Sequence, residues 1–269
     1  MNIISVDLPW KPDTERRRAL AIAGLDGNVK IARASDDKEL LGLARDSAEP
    51  ESIILLDVPI DGCDNLDGEH FRPIDKAIAH QNISVLPASK AKNRGKKLKK
   101  RLLERDEKRL SVYEIYPYAI YKFLAYLKHK KLLEYLNFGK FDSLLDKRFR
   151  TTYKWSRKYK REKDRVQRIR NMRYLYSLLT DSSLGLTFSP PLHCPDISYT
   201  GKELNELCDE YDACLGAVVG LHFANNRSYA WIAGDTKTGN MLILADQWLV
   251  GQLRLEIPVY RLGQKEQRL

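Results

Sequence analysis

The sequence predicts an α/β fold in which a mixed sheet is flanked by helices. Three observations carry that expectation. The chain opens with a strand and a hairpin pattern, after which helical and strand patterns follow one another. The run Ser52–Val58 (SIILLDV) is continuously apolar, as a strand covered on both faces requires, and a central parallel strand is the usual case. The stretch from Thr200 to about Asn225 places its apolar residues in one stripe at helical spacing.

Taken in order, Ile3–Leu8 reads as the first strand, closed by Pro9, which cannot donate to a ladder. Ala19–Gly24 and Val29–Arg33 read as strands joined by the turn signal Asp26-Gly27-Asn28. Leu40, Leu41 and Ala44 fall at helical spacing within Asp36–Asp46. After the apolar strand, the Gly- and Asp-rich Asp61–His70 reads as a loop. Val112–Tyr116 alternates and ends at Pro117, so it reads as a strand. Tyr118–Thr180 reads almost wholly helical, and the proline-rich Ser182–Ile197 as an irregular connector. Thr200 and Glu203 form a capping box at the start of the long helix. Tyr229–Ala233 and Met241–Leu244 flank a glycine turn and read as a closing hairpin.

A chain of 269 residues with 43% hydrophobic residues can bury its own core without disulfides. The expected organisation is a single domain over 1–269, with a helical basic insertion over 118–180. Cys63, Cys194, Cys208 and Cys214 fit no zinc or redox spacing, and Cys208 and Cys214 read as buried small residues of a reducing compartment. No apolar run reaches the length of a membrane span, and the N-terminus reads as a strand rather than a signal peptide. A cytoplasmic protein without membrane contact is therefore expected.

The chemistry concentrates on acidic residues. Asp7 and Asp57 each close an apolar strand and are followed, after one residue, by proline. Ligands of open α/β sheets bind beyond the carboxyl ends of parallel strands. Two carboxylates there repel each other unless a cation lies between them or one is protonated. Mg²⁺ or Mn²⁺ suits such hard oxygen ligands. Asp209 and Asp212 lie three apart on the long helix, with Asp212 at the border of the apolar stripe. Asp209 shares a small-residue flank with Gly216 and Gly220, which could press close to the sheet edge. Two divalent ions about 3.5–4 Å apart can activate water and stabilise a leaving oxygen in phosphodiester cleavage, with no nucleophilic side chain needed. Glu114, inside its strand, is a further ligand, a supporting group or a base for the attacking water. Each acid taken singly also fits a turn, a cap or a solvated face; the combination in chain order points to a shared site.

These segments, IISVDLPW around Asp7, ILLDVPI around Asp57, VYEIYP around Glu114 and CDEYDACLGAVVG around Asp209 and Asp212, resemble domain-of-unknown-function family 429. Its members are predicted nucleases of the ribonuclease H-like superfamily. The closing AGDTKTGNMLIL resembles the glycine-turn hairpin of that family. The resemblance covers most of the chain outside the helical middle and implies a ribonuclease H-like mixed sheet. The order of a β-meander followed by α/β alternation agrees with that fold. The paired-aspartate helix is also similar to that of Holliday-junction resolvases, and that similarity implies metal binding by Asp7, Asp57, Asp209 and Asp212. Glu114 is implied by the unknown-function family alone. The chain departs from the family in having Leu8-Pro9-Trp10 where glycines usually follow the first aspartate. Its middle is also longer and more basic.

The formal net charge is +10, which favours polyanions. Two segments concentrate it, Lys90–Arg109 and Lys140–Arg173. The first is expected to contact phosphates, and a mobile loop that orders on substrate is one form it could take. The second interleaves Phe141, Phe149, Tyr153, Trp155, Tyr159 and Tyr174, which could stack on unpaired bases or pack inward. His70 and His193 are candidates for assisting catalysis, although their scattered positions favour a surface role. The expected activity is metal-dependent hydrolysis of DNA or RNA, with Asp7, Asp57, Asp212, Asp209 and Glu114 at the catalytic site. The alternative is a nucleic-acid-binding adapter of the same fold without turnover. Phosphoryl transfer to a small substrate would need a glycine-rich loop after the first strand, which Leu8-Pro9-Trp10 does not supply.

Overall fold

The computed structural model describes residues 1–9, 18–63, 66, 70–81, 83, 85, 87–91, 93–104, 109–135, 159–160 and 162–261, the side chains of 130–135 excepted. Strands β1 (Asn2–Asp7), β2 (Arg18–Gly24) and β3 (Asn28–Ala34) form an antiparallel meander. Helix α1 (Asp37–Ser47) follows, started by the Asp36 carboxylate, which accepts from the amides of Lys38 and Glu39. Strand β4 (Ile53–Leu56) then pairs parallel with β1, and β5 (Ser111–Ile115) pairs parallel with β4. Strands β6 (Thr187–Phe188), β7 (Ala230–Asp235), β8 (Gly239–Leu244) and β9 (Val259–Tyr260) complete a mixed nine-stranded sheet of order β6-β3-β2-β1-β4-β5-β8-β7-β9. The apolar SIILLDV run is thus a central strand with parallel neighbours on both sides, as its composition requires.

Helices cover both faces. On one lie α4 (Pro117–Tyr135), α5 (Arg165–Leu179) and α6 (Gly201–Ala224), packed with Ile3, Leu55 and Ile115 of the sheet. On the other, α1 and α3 (Arg94–Leu103) pack against Ile4, Val6, Ile54 and Leu56. There α2 (Pro73–His80) and α7 (Gln247–Leu253) cover Trp231, Met241 and Ile243 at the hairpin end of the sheet. Thr200 and Glu203 form the capping box the sequence predicts.

Three local expectations change. Residues 94–103 of the first basic segment, for which the sequence allows a mobile loop as one possible form, make a helix, because Leu98 and Leu102 supply a buried stripe. The 118–180 region is interrupted, since Tyr159, Lys160 and residues 162–164 are not helical. Residues 136–158 and 161 of that prediction lie outside the described residues. The connector after Thr180 contributes the short edge strand β6. Cys208 and Cys214 are buried thiols, as expected, and none of the four cysteines is in a disulfide. Among the described residues no helix is long and apolar enough to cross a membrane.

Candidate functional site

Asp7 is the last residue of β1, and Asp57 follows the last residue of β4. The parallel register pairs Val6 with Leu56, so the two aspartates stand one step further along adjacent strands. The Asp57 amide donates to Val6 O at 3.0 Å and extends the ladder to the acid itself. Neighbouring strands lie about 4.8 Å apart, so these two carboxylates are brought together by sheet geometry alone.

The third acid arrives by close helix packing. Asp212, Gly216 and Gly220 recur every four residues along one face of α6. A Cβ at Gly216 would stand 1.9 Å from Ser5 Oγ, and one at Gly220 2.4 Å from Ile3 Cγ2 and 2.8 Å from Leu55 Cδ1. Only glycine allows the helix to lie this near β1 and β4. That approach lowers Asp212 onto the strand ends. One oxygen from each of Asp7, Asp57 and Asp212 lies within 4.8 Å of the others. All three residues are buried, with exposures of 5%, 8% and 3%. Asp209 stands at the edge of the group, half-buried.

A cation does lie among these carboxylates, and it belongs to the chain. Lys160 Nζ forms an ion pair with Asp212 Oδ2, lies 3.4 Å from Asp7 Oδ1 and 3.8 Å from Asp209 Oδ1. The neighbouring Tyr159 is buried, and its hydroxyl donates to Asp212 Oδ1 at 2.5 Å. Burial and the carboxylate of Asp7 push Asp57 well above the ordinary carboxylate range, against the pull of Lys160. Burial and Asp7 also push Asp209 up to about 8. Asp212 is raised by burial to about 6, the Lys160 charge opposing the shift. Desolvation at the ammonium end works against the Lys160 charge, but Asp212 and Asp7 outweigh it and hold its pKa well above the usual lysine value.

The residues fit a hard divalent cation. Three buried carboxylates converge, and Asp57 Oδ1 is buried without a hydrogen-bond donor among the described residues. Such an orphaned acceptor is costly unless a positive charge or a donor meets it. Asp7, Asp57 and Asp212 could each offer an oxygen, with Asp209 beside them.

Glu114 is not brought into this group. Register pairs it with Leu56, whose side chain faces α1 and α3, whereas Tyr113 and Ile115 face α6. Its carboxylate is held by Arg72 at 2.5 and 2.7 Å and accepts from the Ile60 amide at 2.9 Å. Arg72 also contacts Asp75 and donates to Asp61 O at 2.9 Å. Glu114 therefore secures the turn that follows Asp57 from the opposite face. His70 and His193 are exposed and stand apart from the cluster; His70 meets Ser89, and the His193 carbonyl accepts from Tyr211.

Sequence reasoning did not single out Lys160 or Arg72, and it named Tyr159 only among the interleaved aromatics. Nothing in spacing distinguishes Lys160 from the other lysines of its basic stretch. Tyr159 and Tyr174 face inward, Tyr159 against Tyr121 at 5.2 Å and Tyr174 against Tyr121 at 6.4 Å, so neither is a base-stacking platform. Phe141, Phe149, Tyr153 and Trp155 lie outside the described residues.

The basic helix α3 begins beside the site. Arg94 donates to Pro9 O and pairs with Asp37 at 2.5 Å. A Cβ at Gly95 would stand 2.2 Å from Pro59 O, so the helix start abuts the segment after Asp57. From there Lys96, Lys97, Lys100 and Arg101 present an exposed basic face. No family model, no curated protein and no solved structure matches this chain.

Proposed function

We propose that this chain is a metal-dependent nuclease of the ribonuclease H-like kind, hydrolysing phosphodiester bonds of DNA or RNA. The observation that carries the reading is the convergence of Asp7, Asp57 and Asp212, buried, with one oxygen each inside 4.8 Å and Asp57 Oδ1 lacking a donor among the described residues. The sheet supports it: a three-stranded meander followed by parallel β4 and β5 agrees with the fold that the resemblance implies.

Asp7, Asp57 and Asp212 would hold Mg²⁺ or Mn²⁺, with Asp209 as an edge ligand. An ion held by these residues would supply Lewis acidity, activating water and offsetting charge on the phosphate oxygens. The chain's residues supply rigidity and attraction. The strand ladder fixes Asp7 and Asp57, the Tyr159 hydroxyl orients Asp212, and Glu114 with Arg72 fixes the segment after Asp57. The exposed basic face of α3 attracts the phosphate backbone to the cluster through counterion release.

The test is cleavage of single- and double-stranded DNA and RNA by the purified full chain with Mg²⁺ or Mn²⁺. Asp57→Asn is expected to lower the rate at least 100-fold. Full activity in both Asp57→Asn and Asp7→Asn would overturn the assignment.

One observation favours a second reading. Lys160 already places a cation among the carboxylates, as a protein using this fold only to hold nucleic acid would require. Salt-dependent binding across varied nucleic acids, with no metal-dependent cleavage, would select this adapter role.

A further inference from the structure

We propose that Lys160 is a built-in counter-ion at the cation position of the cluster, displaced from the carboxylates by a divalent ion and received by a substrate phosphate. The inference rests on the metal-site reading above and assigns that site its regulation.

Position is the first argument. The ammonium touches Asp212 and lies 3.4 Å from Asp7, two of the three acids that would ligate the ion. A divalent ion on the same oxygens would face a positive charge at contact distance. The two cations therefore compete for one set of carboxylates.

Access is the second. The Lys160 side chain is 38% exposed, while those of Asp7 and Asp212 are 6% and 3% exposed. The Lys160 stem thus runs in from the solvent side, and withdrawal along it returns the ammonium to water. Its backbone is held where it is: the Tyr159 ring lies edge-on to Tyr121 at 5.2 Å, and the Tyr159 carbonyl accepts from Arg168 Nε at 3.1 Å. A flexible four-carbon stem on a pinned backbone can exchange partners without moving the fold.

Charge is the third. Four acids, Asp7, Asp57, Asp209 and Asp212, share one ammonium, so a divalent ion that displaces their protons meets more negative charge than Lys160 balances. A phosphate entering at the rim offers the displaced ammonium a new partner. Metal and nucleic acid then favour each other's binding, and linkage makes the effect reciprocal.

The test is Mn²⁺ binding by the full chain at pH 7.5, followed by electron paramagnetic resonance of the free ion. Lys160→Met is expected to bind Mn²⁺ at least tenfold more tightly than the wild type, and Lys160→Arg to stay within about threefold of it. A phosphorothioate oligonucleotide is expected to tighten Mn²⁺ binding several-fold more in the wild type than in Lys160→Met, and equal tightening in both overturns the transfer of the ammonium to phosphate. Equal Mn²⁺ affinity in wild type and Lys160→Met overturns the counter-ion role and leaves the metal site standing. Absence of Mn²⁺ binding in both overturns the metal site and the proposal together. A readout on the unmodified sequence covers the case in which Lys160→Met does not fold. Saturating Mn²⁺ should raise amine labelling of Lys160, mapped by mass spectrometry, several-fold; unchanged labelling overturns the proposal.

Discussion

Arg72 carries its guanidinium into the interior at 1% exposure and satisfies it on Glu114, Asp75 and the Asp61 carbonyl. Burial opposes that charge, and Glu114 with Asp75 outweighs it, so the group stays ionised. Removing one partner of a buried ion pair leaves the others uncompensated, at a cost of about 3–5 kcal/mol. Arg72→Met is expected to lose about that much stability in urea unfolding; a loss under 1 kcal/mol would contradict the network. Glu114 shows how far single residues were legible. Alternation in VYEIY separates Glu114 from Tyr113 and Ile115, but which set faces α6 depends on the pairing of Leu55 with Tyr113, a register the segment alone does not contain.

Helix α6 sets the height of the site above the sheet. Its glycine face was visible as small residues beside Asp209, and the tertiary structure assigns that face to Ser5, Ile3 and Leu55. Gly216→Ala forces a methyl group onto Ser5 and lifts the helix near Asp212. The expected loss is about 1–3 kcal/mol, the usual cost of overpacking, read by denaturant unfolding together with weaker Mn²⁺ binding. Gly201→Ala, where an added methyl group meets nothing, is the control and should be close to neutral. Helix α3 teaches the same lesson from the basic side. Its charge was plain in the sequence, whereas its helical form follows from Leu98 and Leu102 finding the core beneath them.

For the molecule as a whole, the cluster makes stability depend on pH in a definite direction. An unfolded aspartate releases its proton near 3.8, but in the fold Asp212 holds it to about 6 and Asp209 to about 8, with Asp57 raised as well. The folded state therefore binds more protons than the unfolded chain over this window. Its stability is greatest at the acid end and is lost as pH rises through the folded values. Lys160, raised rather than lowered, stays charged throughout. Without divalent ions the Tm is expected to fall between pH 5 and pH 8. Adding Mn²⁺ should reverse the slope, because ligand carboxylates bind the ion only after losing their protons. A Tm that rises steadily with pH in chelator would contradict the coupled cluster.

The sequence by itself determined what is local: the strand ends at Asp7 and Asp57, the capped helix carrying Asp209 and Asp212, the apolar central strand and the excess of basic charge. Periodicity, caps and proline stops act within a few residues, so they can be read without a fold. The tertiary structure decided what is distant. It set Asp57 beside Asp7 through parallel register, lowered Asp212 onto them through two glycine contacts, turned Glu114 to the far face, and inserted Lys160 from 153 residues beyond Asp7. These are meetings between segments far apart in the chain. Their energies depend on register and close packing, which no single segment carries.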